Sequence, residues 1–327
     1  MDRRHFISSA AAAGAAATLP SFAQAQESWP TRNITMVVPF PPGGQADLAA
    51  RPIAEALRRS LGQSIVVENR GGAGGKTGNA AVARANPDGY TLLMALASIL
   101  VLPEADRLFG RQVAYEVADL RPIARVLADP LMITVRADAP WKTLAELAED
   151  ARKRPGTIPF SSSGSYGALH VPIEMYATAA GIKLLHVPFT GGGPAVNALL
   201  QGTVQVTGGG PGVVKPHVDA GTMRVLGNTG TARVPGFMNV PTCQEQGYKD
   251  VEFYIWAGLF APAKTPENVV TRLRIAMKEA MSDKQITGIF EKGGSPPAYL
   301  DEPEFKAFVD ADHKRLVKAV QAIGKVE

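Results

Sequence analysis

The chain has 327 residues, of which 46% are hydrophobic, and its 34 Lys and Arg against 30 Asp and Glu give a formal net charge of +4 at pH 7. This length predicts two domains with a core each, and the mild positive charge without a basic run argues against nucleic acid while suiting small anions. The single cysteine, Cys243, excludes an intramolecular disulfide, and we expect it to be buried and unreactive.

The N-terminus has the pattern of an export signal. Paired arginines at Arg3 and Arg4 precede a low-polarity run over residues 8–19, and an A-x-A cleavage site ends at Ala25. We expect a signal peptide resembling the twin-arginine type, cleaved after Ala25, and a mature protein in the periplasm. Asp2 stands where the twin-arginine pattern has Ser or Thr, so the general secretory route stays open. A membrane anchor would need about 18 strongly apolar residues, more than this run supplies.

Strand-like and helix-like segments alternate along the rest of the chain, which predicts an α/β fold with mostly parallel sheets. The predicted strands lie at 34–38, 64–68, 90–95, 120–127, 132–135, 157–161, 184–189, 204–207, 223–226 and 253–261. The predicted helices are one that ends at 61 and others at 79–85, 144–153, 170–180, 195–200, 266–281, 285–292 and 302–323.

No low-complexity, flexible linker separates the two expected domains in the sequence. Strands that cross between the domains, near 126–130 and 250–254, would explain this absence and would make one domain discontinuous. Two lobes joined by two crossing strands form a hinged clamshell, in which ligands bind between the lobes. The predicted division is a signal peptide at 1–25, a first lobe at 26–127 and 253–327, and a second lobe at 128–252.

The segment from Ile34 to Leu61 contains the most informative turn, PFPPGG at 39–44, between a buried strand and an amphipathic helix. Prolines lack an N–H and glycines allow positive φ, so the strand must stop there. Such a turn directs free N–H groups, backed by a helix dipole, towards an anion. A stiff β–α connection without a ligand is the alternative.

Two motifs resemble a nucleotide-binding loop and a serine-hydrolase nucleophile elbow, but neither matches its pattern. The segment 70–77, RGGAGGKT, departs from a phosphate-binding loop because Arg70 stands where that pattern requires Gly. The segment 161–167, SSSGSYG, departs from a nucleophile elbow because Ser163 replaces its first Gly around Ser165. No His, Cys and Asp residues have metal-ligand spacing, so neither a metal nor another cofactor is expected. A secreted esterase using Ser163 or Ser165 stays as an alternative.

Gly-, Ser-, Thr- and Pro-rich turns follow five predicted strands. Because ligands sit at the carboxyl ends of strands in open sheets, these turns are expected to surround one site. Backbone N–H and hydroxyl donors can bind an anion there with little need for Arg or Lys, and without catalysis. The turns lie at 40–47, 95–98, 161–167, 190–194 and 208–211.

Three long strings carry a resemblance: VVPFPPGGQADLAAR, VVENRGGAGGKTGNAAVARANPDGYTLLMA and HVPFTGGGPAVNALLQG. They resemble the extracytoplasmic solute receptors of tripartite tricarboxylate transporters, the Bordetella-uptake-gene family. The resemblance implies an α/β fold of the type II periplasmic-binding-protein kind, a clamshell with two α/β lobes joined by two crossing strands. It also implies capture of small organic carboxylates, without catalysis, for a membrane permease of one large and one small subunit. We expect a monomer.

The resemblance and the turns together indicate a set of ligand-binding residues, and leave the role of Asp47 open between capping its helix and contacting ligand. His170 is expected to be part of the scaffold. The indicated residues are Phe40, Gly43, Gly44, Gln45, Ala46, Asp47, Ser98, Ser162, Ser163, Ser165, Tyr166, Thr190, Gly191, Gly209 and Gly210.

Departures from the family pattern bear on specificity. The loop ALASI at 95–99 replaces a polar loop, Tyr166 replaces a usual glycine, and glycines at 208–210 replace a bulkier loop. A pocket with fewer polar donors disfavours polyacids such as citrate. We therefore expect a carboxylate with an apolar or aromatic body, stacked near Tyr166 or Phe40. A receptor that feeds a signalling system instead of a transporter is a further alternative.

Overall fold

The computed structural model describes residues 29–326, which contain eleven strands and ten α-helices. The expected signal peptide and its cleavage site lie outside the described residues. The strands are β1 Ile34–Val38, β2 Ile65–Asn69, β3 Thr91–Leu96, β4 Leu120–Pro130, β5 Met132–Arg136, β6 Pro159–Ser162, β7 Leu185–Pro188, β8 Val206–Gly209, β9 Met223–Asn228, β10 Tyr254–Pro262 and β11 Pro297–Leu300.

The helices differ from the expected set mainly by two additions, α3 and α7. Each has a proline inside it, Pro103 and Pro216, and this composition hid both from prediction. The helices are α1 Gln45–Leu61, α2 Lys76–Ala83, α3 Ser98–Leu108, α4 Leu144–Lys153, α5 His170–Ala180, α6 Gly192–Leu200, α7 Pro211–Asp219, α8 Glu267–Ser282, α9 Lys284–Gly293 and α10 Glu302–Ile323.

The strands form two separate sheets. One has six strands in the order β11-β4-β10-β3-β1-β2, and the other has five in the order β7-β6-β8-β5-β9. The prediction of mostly parallel sheets is wrong. Strands β1, β2 and β3 pair in parallel, as do β6, β7 and β8, but β4, β5, β10 and β11 pair antiparallel with their neighbours. Three of these, β4, β5 and β10, flank the two passages between the sheets.

The chain passes between the sheets twice. It leaves the six-stranded sheet at Pro130 and enters the five-stranded sheet at Met132, and it returns through the segment 229–253. We call the six-stranded sheet with α1–α3 and α8–α10 the first lobe, and the five-stranded sheet with α4–α7 the second lobe. The exact lobe boundaries at 127/128 and 252/253 stay a prediction.

The two passages are tied together by Thr229, which is fully buried. Its Oγ1 accepts the N–H of Leu131 at 2.9 Å and donates to the carbonyl of Phe253 at 2.7 Å. Its backbone bonds the same two residues, with Thr229 N–H donating to Leu131 and Phe253 N–H donating to Thr229. One threonine therefore ties the two passages between the sheets to each other.

Aromatic packing fills the core of the first lobe. The ring of Phe305 lies 5.7 Å from that of Trp256 and 5.3 Å from that of Phe260, in edge-to-face arrangements. The indole N–H of Trp256 donates to Asp312 at 2.8 Å, which satisfies its one buried polar atom. In the second lobe, Cys243 is fully buried as expected, and burial raises the pKa of its thiol to about 12.

Candidate functional site

A small cavity lies between the lobes where strand ends from both sheets meet. Its volume is about 20 Å³, roughly room for one water molecule, so the lobes are closed around it. We call it the inner cavity. It is lined by Phe40, Gly44, Gln45, Ala46, Leu96, Ser163, Leu169, Gly192, Gly208, Gly209, Gly210 and Val213.

Three helices begin at the inner cavity. Helix α1 starts after Gly44, α6 after Gly191 and α7 after Gly210, and none of these glycines offers a side-chain cap. In α7 the N–H of Gly212 donates to Ser295 Oγ instead, at 3.0 Å. The absence of a side chain permits close approach, because a Cβ on Gly210 would overlap the Gln45 amide and one on Gly191 would lie 2.7 Å from Pro41. Three positive helix ends therefore point at one small space.

The lining of the inner cavity has no charged residue, yet two of its polar atoms lack partners. The Oε1 atom of Gln45 and the Oγ atom of Ser163 are both buried without a hydrogen bond to any described residue. The amide nitrogen of Gln45 donates to Asp129, a residue 2% exposed at the end of β4. A ligand or a water in the inner cavity can satisfy the two unpartnered atoms.

A larger cavity of about 690 Å³ opens to the other side of the interlobe contact. We call it the outer cavity. Gly164 of the second lobe and Gly74 of the first lobe meet closely in its wall, since a Cβ on Gly164 would lie 2.7 Å from the nitrogen of Gly74. Lys76 and Asp106 form an ion pair in its wall. Its lining is Ala73, Gly74, Lys76, Leu102, Ala105, Asp106, Phe109, Arg111, Gly164, Ser165, Tyr166, Pro188, Phe189, Thr190 and Val326.

The predicted site residues divide among these spaces. Four of them, Asp47, Ser98, Ser162 and Gly191, line neither of the two cavities, and Gly43 lines a separate surface cavity of about 340 Å³. Those in the outer cavity are Ser165, Tyr166 and Thr190. Those in the inner cavity are Phe40, Gly44, Gln45, Ala46, Ser163, Gly209 and Gly210.

Asp47 is engaged within the first lobe. Its carboxylate accepts hydrogen bonds from Arg51 at 2.8 and 3.0 Å, from Asn69 at 3.1 Å and from the N–H of Gly43 at 3.2 Å. Burial acts to raise the pKa of Asp47, but these hydrogen bonds outweigh it and hold the pKa below its ordinary value of 3.8. The side chain therefore braces the PFPPGG turn at 39–44, which we call the anchoring turn.

The second-lobe loop contains a serine–histidine contact that sequence reasoning did not find. Ser162 Oγ lies 2.6 Å from His186 Nε2, and His186 stacks on His170 with ring centroids 3.9 Å apart. Burial and the neighbouring His170 lower the pKa of His186 to about 3, so the ring is neutral. Ser162 has no exposed surface and reaches neither cavity, so this contact supports the loop and does not offer a nucleophile.

Tyr166 connects the second lobe to the C-terminal segment. Its hydroxyl donates to the carbonyl of Gly324 at 2.6 Å and accepts the N–H of Val326 at 2.9 Å. Its φ is +56°, in the left-handed region that glycine prefers, which fits the glycine expected there from the family pattern. The tyrosine thus spans the lobes at the outer cavity.

Some residues of the inner cavity were outside the predicted set. Val213 lies on α7, which the sequence did not reveal, and Leu169 is one apolar residue among many before α5. Leu96 and Gly208 belong to loops whose departures from the family pattern had marked them for specificity. Among residues 29–326, no group of three or more His, Cys, Asp or Glu could hold a metal ion, and no helix is long and apolar enough to cross a membrane.

Residues 49–325 match the family model described as "Tripartite tricarboxylate transporter family receptor". The chain is 36% identical over 287 residues to the "UPF0065 protein in tcbD-tcbE intergenic region" of Pseudomonas sp. strain P51, which covers 85% of this chain and 84% of the relative. It superposes on the periplasmic binding protein BugD with a TM-score of 0.85 and 32% identity, over 90% and 99% of the two chains. It also superposes on R. palustris Rpa4515, solved with adipate, with a TM-score of 0.83 and 31% identity, over 90% and 98%.

Proposed function

Because the chain belongs to the family of tripartite tricarboxylate transporter receptors, we propose that it captures a small organic carboxylate in the inner cavity and delivers it to a membrane permease. The family is one of solute-binding receptors, and BugD is a periplasmic binding protein. The adipate of Rpa4515 supports an organic acid as the ligand. The permease has one large and one small subunit, and the receptor works as a periplasmic monomer once the signal peptide is cut after Ala25.

One observation carries the proposal: three helices begin at a cavity that has no charged residue, and two of them, α1 and α6, present first-turn N–H groups without a side-chain cap. The N–H groups of the first turn of α1, at Gln45 and Ala46, and those of α6, at Gly192, supply the donors. The helix dipoles add a positive potential without a fixed cation. This arrangement suits a carboxylate and leaves no general base beside it.

Capture requires the lobes to open. A cavity of about 20 Å³ cannot contain an organic acid, so the acid enters an open form and fills a wider cavity as the lobes close on it. Thr229 and the two passages it joins provide the hinge. A ligand that contacts both lobes stabilises the closed form by its differential affinity for that form.

The body of the ligand meets an apolar wall. Phe40, Leu96, Leu169 and Val213 line the inner cavity, so a carboxylate with an apolar or aromatic body leaves fewer of its polar groups unpaired there than citrate would. Phe40 is the aromatic residue available for stacking in the inner cavity, whereas Tyr166 lines the outer one.

We place no catalytic step at this site. The hydroxyl of Ser163 has no hydrogen-bonded base among the described residues, and Ser165 lies in the outer cavity. An esterase would therefore need a base that the geometry does not supply. Hydrolysis of a chromogenic ester that is lost in both Ser163→Ala and Ser165→Ala would contradict the receptor assignment. A role in signalling would use the same ligand site and is separated from transport by uptake assays.

The test is a titration of the protein with a panel of mono- and dicarboxylates. Calorimetry measures the affinity for each acid, and the rise in melting temperature confirms binding to the folded protein. Gly192→Asp introduces a carboxylate at the start of α6, where its Cβ would lie in ordinary contact 3.6 Å from Leu169 and 3.8 Å from Gly44. The added negative charge should lower affinity for the acid at least about tenfold by repulsion. Gly288→Asp, on α9 with nothing near its Cβ, is the matched control and should bind like the wild type. Equal binding by both variants would contradict the site.

A further inference from the structure

The side chain of Gln45 lies between the inner cavity and a buried carboxylate. Gln45 is the first residue of α1 and is 5% exposed. Its Nε2 donates to Oδ2 of Asp129, whereas its Oε1 has no partner and faces Gly210, where an added Cβ would overlap it. The nitrogen of this amide thus bonds a carboxylate, while its oxygen faces the inner cavity.

Asp129 receives hydrogen bonds from two side chains of the first lobe, and one of these side chains, Ser295, is in turn bonded by the second lobe. The N–H of Gly212 on α7 donates to Ser295 Oγ at 3.0 Å, so the hydroxyl proton of Ser295 is free to donate to Asp129, which also receives the Gln45 amide. This chain of hydrogen bonds runs from the second lobe, through Asp129 at the crossing strand, to the anchoring turn of the first lobe. Closure of the lobes therefore completes it.

An ionised carboxylate can only accept hydrogen bonds, and this fixes the amide of Gln45. Its NH₂ group must point to Asp129, so its oxygen must point into the inner cavity. Burial raises the pKa of Asp129 to about 7, while hydrogen bonds from Ser295 and Gln45 act in the opposite direction, and no charged side chain contributes. Above that pH the carboxylate is ionised and the orientation of the amide is set.

We infer that Asp129 positions Gln45 as a specificity residue, so that the site selects carboxylates carrying a hydroxyl or amine donor close to the carboxylate over analogues that lack it. The inference rests on the proposed function, since the same helix ends must bind the carboxylate. The donor group of the ligand satisfies Gln45 Oε1, and Ser163 Oγ lies in the same lining to accept or donate a second bond. An acid without a donor leaves the buried amide oxygen unpaired, which reduces affinity about tenfold or more.

Matched pairs of acids test this preference by calorimetry at about pH 8.5, above the pKa of Asp129. The pairs are lactate with propionate, malate with succinate, and mandelate with phenylacetate, which differ by one hydroxyl. The variants are Gln45→Met, which keeps the length of the side chain without an acceptor, and Asp129→Asn, whose amide can hold Gln45 in either orientation. Gln201→Met, on an exposed residue after α6, is the control.

The wild type and the control should bind the hydroxy acid of at least one pair about tenfold or more tightly than its partner. In Gln45→Met and Asp129→Asn this ratio should fall to within about threefold, a change of ratio that a merely structural defect would not produce. Equal binding within every pair, or an unchanged ratio in either folded variant, would overturn the inference and leave the proposed function standing. Failure of every acid to bind would overturn both.

Discussion

At the residue scale, single polar side chains hold the anchoring turn and its surroundings in place. The sequence left the role of Asp47 open between capping its helix and contacting the ligand. Asp47 receives hydrogen bonds from Gly43, Arg51 and Asn69, all in the first lobe, and so supports the anchoring turn. Gln45, its neighbour two positions earlier, faces the inner cavity. In the first turn of α1, Asp47 therefore supports the anchoring turn, while Gln45 is placed to contact the ligand.

Replacement of Asp47 by Asn should destabilise the protein in a pH-dependent way. The pKa of Asp47 is lowered by folding, so its contribution is complete above its ordinary value of 3.8 and is lost as the pH falls through the lower value of the folded state. Urea unfolding should show Asp47→Asn less stable by about 1–3 kcal/mol near neutral pH. Below about pH 3.8 the difference should shrink, because the unfolded wild-type chain then takes up a proton at this carboxyl while the folded chain still resists it.

The same variant separates the two roles of Asp47. Its affinity for an organic acid should stay within about threefold of the wild type, since the carboxylate does not line the inner cavity. A variant with unchanged stability and abolished binding would show instead that Asp47 contacts the ligand.

At the scale of elements, Tyr166 joins the β6–α5 loop to the segment that follows α10. Tyr166→Phe removes the hydroxyl and leaves the carbonyl of Gly324 and the N–H of Val326 without that partner. Hydrogen–deuterium exchange should become faster over the C-terminal segment, and stability should fall by about 1 kcal/mol. Tyr254→Phe, which removes an exposed bond to Thr231, is the control and should leave this exchange unchanged. Unaltered exchange in Tyr166→Phe would show that the contact does not hold the segment.

Elements that are bounded by clear proline and glycine signals could be predicted from the sequence, and elements without such boundaries were missed. The PFPPGG turn could be recognised because proline and glycine end a strand by their own geometry, and strands β1, β3 and β10 have long apolar runs. Helices α3 and α7 contain Pro103 and Pro216, which hid both from prediction. Most of α3 is buried, so its packing in the fold overrides its local sequence, whereas α7 buries only Pro211 and Val214.

The inner cavity itself depends on contacts that no local pattern records. Ligands bind at the carboxyl ends of strands in open sheets, so the sequence could predict that the strand-end turns share one site. Seven residues of the predicted set do line the inner cavity. The contact of Gly164 with Gly74 in the wall of the outer cavity could not be predicted, because it depends on how the two lobes lie against each other. Likewise, the bond of Gln45 to Asp129 joins residues that are 84 positions apart.

At the scale of the whole molecule, the protein is a solute-binding receptor for organic acids, built as two lobes joined by two passages of the chain. Three helices begin at the inner cavity between the lobes. Because the proposed donors come from both lobes, we expect an acid that bridges them to shift the molecule towards the closed form.

The hinge should be sensitive to loss of a single hydroxyl. Thr229→Val keeps the shape of the side chain but removes the acceptor for Leu131 N–H and the donor to Phe253. We expect a loss of about 1–3 kcal/mol in the free energy of unfolding, because buried groups are left unpaired. Thr231→Val, in an exposed position near the same passage, should cost less than about 0.5 kcal/mol. Equal effects of the two substitutions would contradict the hinge assignment.

The most direct test of the central claim is a crystal structure of the protein with its tightest-binding acid from the carboxylate panel. The account predicts a closed form in which the carboxylate lies among the N–H groups of Gln45, Ala46 and Gly192, without an Arg or Lys partner, in an inner cavity widened beyond its present 20 Å³. An acid bound in the outer cavity and paired with Lys76 or Arg111, with the inner cavity still collapsed, would contradict it.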